Sequence, residues 1–132
     1  MALQYSTTVR NAELDALETA IGTSPLLKIR SGSAPANCAT ADSGTVLATM
    51  TLPSDWLAAA SSGSKAKSGT WQDSSADATG TAAHFRIYDS TGTTCHLQGT
   101  VTATGGGGDL TLDNTSIASG QSITINTFSI TA

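Results

Sequence analysis

A chain of 132 residues is long enough to bury one core and too short for two, so a single domain is expected. Only 12% of it is charged, and 22 Thr and 17 Ser take the place of charge, which suits strand faces and turns. The net charge is −4, and the six basic residues (Arg10, Lys28, Arg30, Lys65, Lys67, Arg86) are scattered, which argues against direct binding of nucleic acid.

Low charge and few aromatics are also marks of disorder, but the apolar phase kept along the chain argues for an ordered domain. Residues Met1 to Ser6 show no charged stretch followed by an apolar one, so no secretory signal is expected. No apolar run approaches the ~20 residues of a membrane span. Synthesis in the cytoplasm, with reduced thiols, is the expectation.

From Thr8 to Gly22, Leu14, Leu17 and Ile21 recur at helical spacing, with Val9, Ala16 and Ala20 beside them. Ser6, Thr7 and Thr8 are N-cap candidates, Gly22 stands where a helix ends, and Pro25 confirms the stop. This predicts a helical segment over residues 1–24 and a β domain over 25–132. So short a helix must pack on the sheet or on another subunit.

Leu26 to Arg30 reads as a first strand, Ser31 to Gly44 as a loop broken by Pro35, and Thr45 to Leu52 as a second strand. Pro53 to Trp56 reads as a turn opening a short helical piece that runs to Ala60, with Trp56 plugging the core edge. A third strand is expected to end at Thr70-Trp71. Gln72 to Gly80 reads as an exposed polar loop.

His84 to Val101 is the clearest hairpin, and a turn centred near Thr91 would place Tyr88 opposite Thr94 and Arg86 opposite His96. The run Gly105 to Gly108 reads as a flexible hairpin tip before the strand Leu110 to Leu112, or as a close-contact site for a neighbouring chain. In the stretch from Ser122 to Thr131, Ile123 and Ile125 differ in parity from Phe128 and Ile130. A β-bulge near Asn126-Thr127 would return all four to one core. The fold class is therefore mainly β: an antiparallel sandwich or jelly-roll-like domain with one N-terminal helix.

Chemistry-bearing patterns are weak. No G-x-S-x-G elbow occurs, and His84 and His96 read as solvated strand residues near Arg86 and Gln98, without the further ligands that zinc needs. The glycine run leads into a strand and lacks the Lys-Ser/Thr of a phosphate loop. Asp109, Asp113 and Asn114 lack the spacing of a calcium loop. Cys38 and Cys95 read as small buried residues, Cys95 in phase with Leu97 and Val101, with a disulfide as the alternative in an oxidising medium. No catalytic residue, cofactor or metal is expected. The remaining candidate is an interaction surface, since the strands carry little charge to guard their edges.

Met1 to Ala12, then Leu52-Pro53-Ser54-Asp55-Trp56, then Leu112-Asp113-Asn114-Thr115-Ser116-Ile117 resemble a family of small virion proteins of tailed bacteriophages and prophages. The similarity runs the length of the chain and brings no catalytic motif. It implies a structural, non-enzymatic virion component made in the host bacterial cytoplasm. A capsid decoration (cement) protein on the major capsid protein is the leading expectation, and a neck, tail or fibre-base subunit the alternative. A carbohydrate-binding module, which needs exposed aromatics, is the alternative from another class. The expected contact residues are Leu14, Leu17 and Ile21 on the helix, and Pro35 and Gly106 in loops. Homo-oligomerisation is expected, without nucleic acid or membrane as partner.

Overall fold

The computed structural model describes residues 3–132. In chain order its elements are α1 (Thr7–Ile21), β1 (Leu26–Arg30), β2 (Val46–Thr51), β3 (Ser64–Ala66), β4 (Trp71–Asp73), β5 (Gly80–Thr81), β6 (His84–Tyr88), β7 (Cys95–Ala103), β8 (Leu110–Leu112), β9 (Ser116–Ile117), β10 (Ile123–Ile125) and β11 (Ser129–Thr131). A five-stranded sheet runs in the order β2-β1-β6-β7-β8, and three two-stranded pieces pair β10 with β4, β11 with β3, and β5 with β9. This is a mainly-β, sandwich-like fold with one N-terminal helix, as the alternation predicts.

The helix starts where its sequence asks. Ser6 is extended, and its Oγ accepts from the Val9 amide at 3.2 Å. At the other end Gly22 has φ +92° and ψ −172°, a conformation open to glycine, and its amide donates to the Glu18 carbonyl. Leu14 and Ile21 are buried and Leu17 packs partly buried against the core, so the helix lies on its own β domain. Burial of one such side chain stabilises by about 1.5–3 kcal/mol.

A buried cation fixes the docking. Lys65, 2% exposed in β3, meets Asp15 at 2.7 Å and Glu18 at 3.0 Å, both on α1. Carboxylates near a helix C-terminus oppose the dipole, and the ammonium group offsets that. Asn11 accepts the Gly63 amide at 2.9 Å, and the Trp56 indole donates to the Gly22 carbonyl at 3.0 Å.

In the large sheet, period-two alternation sorts the side chains. Leu27 pairs with Ile87 and Ile29 with Phe85 on the core face, while Lys28 pairs with Arg86 and Arg30 with His84 on the other. An aromatic chain joins the layers: Trp56 to Trp71 at 6.0 Å, Trp71 to Phe128 at 5.3 Å, and Phe128 edge-on to Phe85 at 5.8 Å. Both tryptophans are fully buried.

Several sequence expectations need correction. Residues 56–60 are not helical. Ala58 donates to the Ala66 carbonyl, and Leu57 and Ala60 donate to Glu18 and Asp15, so tertiary acceptors override the helical preference of the alanines. The third strand is two, β3 and β4. The stretch 72–80 is tied down: Ala76 is buried, and its amide and carbonyl bond to Gln121 and Gly120. Ile123, Ile125 and Phe128 do share one core, with Ile130 partly buried against it. The means is an interruption of the strand at residues 126–128, after which β10 and β11 join different partners, and not a bulge within one strand.

The glycine run is not a hairpin tip, because β7 and β8 are parallel, with Val101 opposite Leu110. Parallel neighbours normally need a crossover of about a dozen residues. Here residues 104–109 suffice, and positive φ at Gly105 (+89°) and Gly107 (+81°) lets the chain double back. A Cβ on Gly106 would stand 2.8 Å from the Thr102 side chain.

Candidate functional site

The outer face of the large sheet carries the densest polar chemistry. His84, Arg86 and Tyr88 project from β6 and Arg30 from β1, and all four are buried. Their cover is the loop 31–44, which folds across the strands. Arg86 is at the centre. Its Nε donates to Gln98, its Nη1 bonds Asp42, and its Nη2 donates to the carbonyls of Asn37 (2.9 Å), Cys38 (3.3 Å) and Thr40 (2.9 Å). Asp42 also receives Arg30 at 3.1 Å and the Tyr88 hydroxyl at 2.6 Å. Gln98 donates to the Pro35 carbonyl at 2.7 Å, and His84 Nδ1 donates to the Gly32 carbonyl at 2.7 Å.

Burial raises the pKa of Asp42, but the hydrogen bonds from Tyr88 and Arg86 and the two guanidinium charges outweigh it and hold the carboxyl below its ordinary value. Tyr88 is pushed up by burial and by donating to Asp42. Arg86 is disfavoured as a cation by burial, yet its bond to Asp42 keeps it protonated more strongly than usual. Each of the three guanidinium nitrogens of Arg86 is thus engaged with the loop or its neighbours. The arrangement clamps a loop to a sheet.

The hairpin register creates one unexpected neighbour. Arg86 pairs with Gln98 and Tyr88 with Cys95, because the register shifts between Ile87 and Tyr88. The expected pairs with His96 and Thr94 do not form. The bulge moves Cys95 onto the covered face and leaves His96 exposed. Asp89 accepts the Thr93 amide at 2.9 Å and the Thr91 hydroxyl at 2.8 Å, and so sets the turn that produces this offset. Both cysteines are half-buried free thiols lining a cavity of about 190 Å³ with Asp42, Arg86 and Tyr88.

The chain matches no protein-family model, no curated protein and no solved structure.

The contact candidates fall in different places. Leu14 and Ile21 are buried in the protein's own fold and Leu17 is half-buried there, so the helix face is occupied and offers no docking surface. Pro35 is half-buried, its carbonyl held by Gln98. Gly106 is exposed at the β7–β8 turn. His84 is fully buried, not solvated, because loop 31–44 covers it. Asp109, Asp113 and Asn114 do not converge. Asp109 accepts the Thr100 amide away from the other two, while Asp113 and Asn114 line one polar depression of about 230 Å³ and Asn114 accepts the Ser116 amide. Among the described residues no three His, Cys, Asp or Glu side chains gather as metal ligands, and no helix is long and apolar enough to cross a membrane.

The sheet edges are also better guarded than the sparse charge suggests. Asp73 accepts the Thr49 amide on the edge strand β2, and Asp109 accepts the Thr100 amide where β7 runs past the end of β8. Carboxylates thus occupy backbone donors that a foreign strand would otherwise take.

Proposed function

We propose that this chain is a non-enzymatic structural protein of a tailed-phage virion, a decoration protein that contacts the major capsid protein. One observation carries the reading. The large hydrophobic side chains exposed among the described residues are Leu3 (85%), Tyr5 (55%) and Val9 (45%), and all three sit on the N-terminal arm and the first turn of α1. Grouped exposed apolar residues mark contact surfaces. The arm ahead of the helix ends extended at Ser6, the conformation of a segment that adds to a neighbour's sheet. The resemblance of Met1 to Ala12 to phage virion proteins supports the same assignment.

The exposed turn at Gly105 to Gly107 is the second contact element, and the helix face with Leu14 and Ile21 is not one. Association through so small an arm is weak singly, and repetition over a lattice of identical sites supplies avidity. Burial of Trp56 and Trp71 takes both tryptophans away from any sugar-stacking surface and counts against a carbohydrate-binding module.

Quantitative protein mass analysis of purified particles tests the proposal. A copy number that follows the capsid lattice supports it, one that follows the rotational symmetry of the tail moves the protein to the neck or tail, and absence from particles refutes it.

A further inference from the structure

We propose that Cys38 and Cys95 are partners in an intramolecular disulfide that forms once the folded chain leaves a reducing compartment, and that it staples loop 31–44 to β7. The inference does not depend on the virion assignment. It rests on three features of the covered sheet face.

First, the bulge in the β6–β7 register places Cys95 opposite Tyr88, on the face that loop 31–44 covers. Without it His96 would stand there. Second, the loop is fixed where it crosses Cys95: Arg86 Nη2 holds the carbonyls of Asn37, Cys38 and Thr40, and Asp42 is tied to Arg30, Arg86 and Tyr88. Third, the two thiols line one cavity of about 190 Å³ together with Asp42, Arg86 and Tyr88. Both are partly exposed, so a small oxidant reaches them. The polar clamp has already brought to one cavity two cysteines that are far apart in sequence, which a disulfide requires.

The chemistry balances with a small-molecule disulfide as oxidant. The Cys38 thiolate attacks one sulfur of the oxidant, breaking its S–S bond and expelling one thiol, and a mixed disulfide remains on Cys38. The Cys95 sulfur, losing its proton to water, then attacks the Cys38 sulfur and expels the second thiol. Two protein thiols give up two electrons to the oxidant, which leaves as two thiols. Burial and the neighbouring Cys38 push the Cys95 thiol up to about 12, so Cys95 is not the first nucleophile, and closure quickens as pH rises.

The test incubates the purified full chain with oxidised glutathione and measures free thiols after denaturation, intact mass, and melting temperature. The expected product is a monomer without titratable thiols, lighter by two hydrogens, with a peptide linking positions 38 and 95. Its melting temperature should rise by roughly 5–15 °C, a gain that dithiothreitol reverses. Cys38→Ser and Cys95→Ser should each fold, keep one thiol and show no gain. Two thiols that persist in the folded chain, separate glutathione adducts on both cysteines, or disulfide-linked dimers would each overturn the proposal.

Discussion

The two faces of the five-stranded sheet are both covered and are held by different physics. On one, Leu27, Ile29, Phe85 and Ile87 pack against the aromatic chain of Trp56, Trp71 and Phe128. On the other, Arg30, His84, Arg86 and Tyr88 are buried by a loop without helix or strand, and hydrogen bonds do the fixing. The apolar face tolerates any occupant of suitable volume. The polar face is directional: Arg86, Tyr88 and His84 Nδ1 donate to named acceptors, Arg30 Nε and His84 Nε2 are buried without one, and removing one partner strands the others. Burial alone therefore says little about what a residue contributes.

The largest expected effect breaks the apolar side. Trp71→Ala should lower the unfolding free energy by about 3–5 kcal/mol in urea titrations, through lost contact with Trp56 and Phe128 and the cavity left behind. On the polar side, Arg86→Ala should cost about 2–3 kcal/mol, at or below the lower end for a broken buried pair because the Asp42 side chain is 41% exposed and water rescues it. Hydrogen exchange sharpens the contrast. Amides of residues 31–44 should lose protection in Arg86→Ala well before those of β1, whereas Trp71→Ala should weaken both together.

Lys65→Met is the smaller counterpart at the helix. It keeps the aliphatic stem but leaves Asp15 and Glu18 without their cation, and should cost about 1–2 kcal/mol, since both carboxylates reach water. Protection should fall first in α1.

Acid and alkali should attack the polar face from opposite sides. The folded fold holds Asp42 below its ordinary 3.8, so its contribution is present above that pH and is lost as pH falls through the depressed value. Tyr88 is raised above 10.0 and Lys65 above 10.5, so their contributions are present below those values and are lost as pH rises beyond them. Stability measured against pH should show both limbs, and Asp42→Asn should flatten the acid one. The smallest effect on folding belongs to Leu3→Ser with Tyr5→Ser, which should change stability by less than about 0.5 kcal/mol. If that double variant still cosediments with capsids as the native chain does, the arm is not the contact.

Much of the architecture was legible in the residues. Alternation at Leu26 to Arg30 and His84 to Tyr88 marked strands, and Ser6 and Gly22 marked the helix ends, because these signals arise within a few residues of backbone. The Cys95 bulge was hidden, since the offset comes from how Asp89 folds its turn and not from any apolar period. The buried state of Arg86 and His84 was hidden as well. Polar residues alternating on a strand read as solvated until something covers them, and no local pattern announces that cover.

By itself, then, the sequence determined a small β-rich domain, its helix and the apolar half of its core, because transfer of apolar groups from water depends mainly on composition and period. Only the tertiary structure decided that the helix lies on its own sheet, that loop 31–44 is clamped by Asp42 and Arg86, and that Cys38 and Cys95 line one cavity. Those outcomes depend on distances between residues remote in the chain, which directional bonds select and no short stretch of sequence encodes.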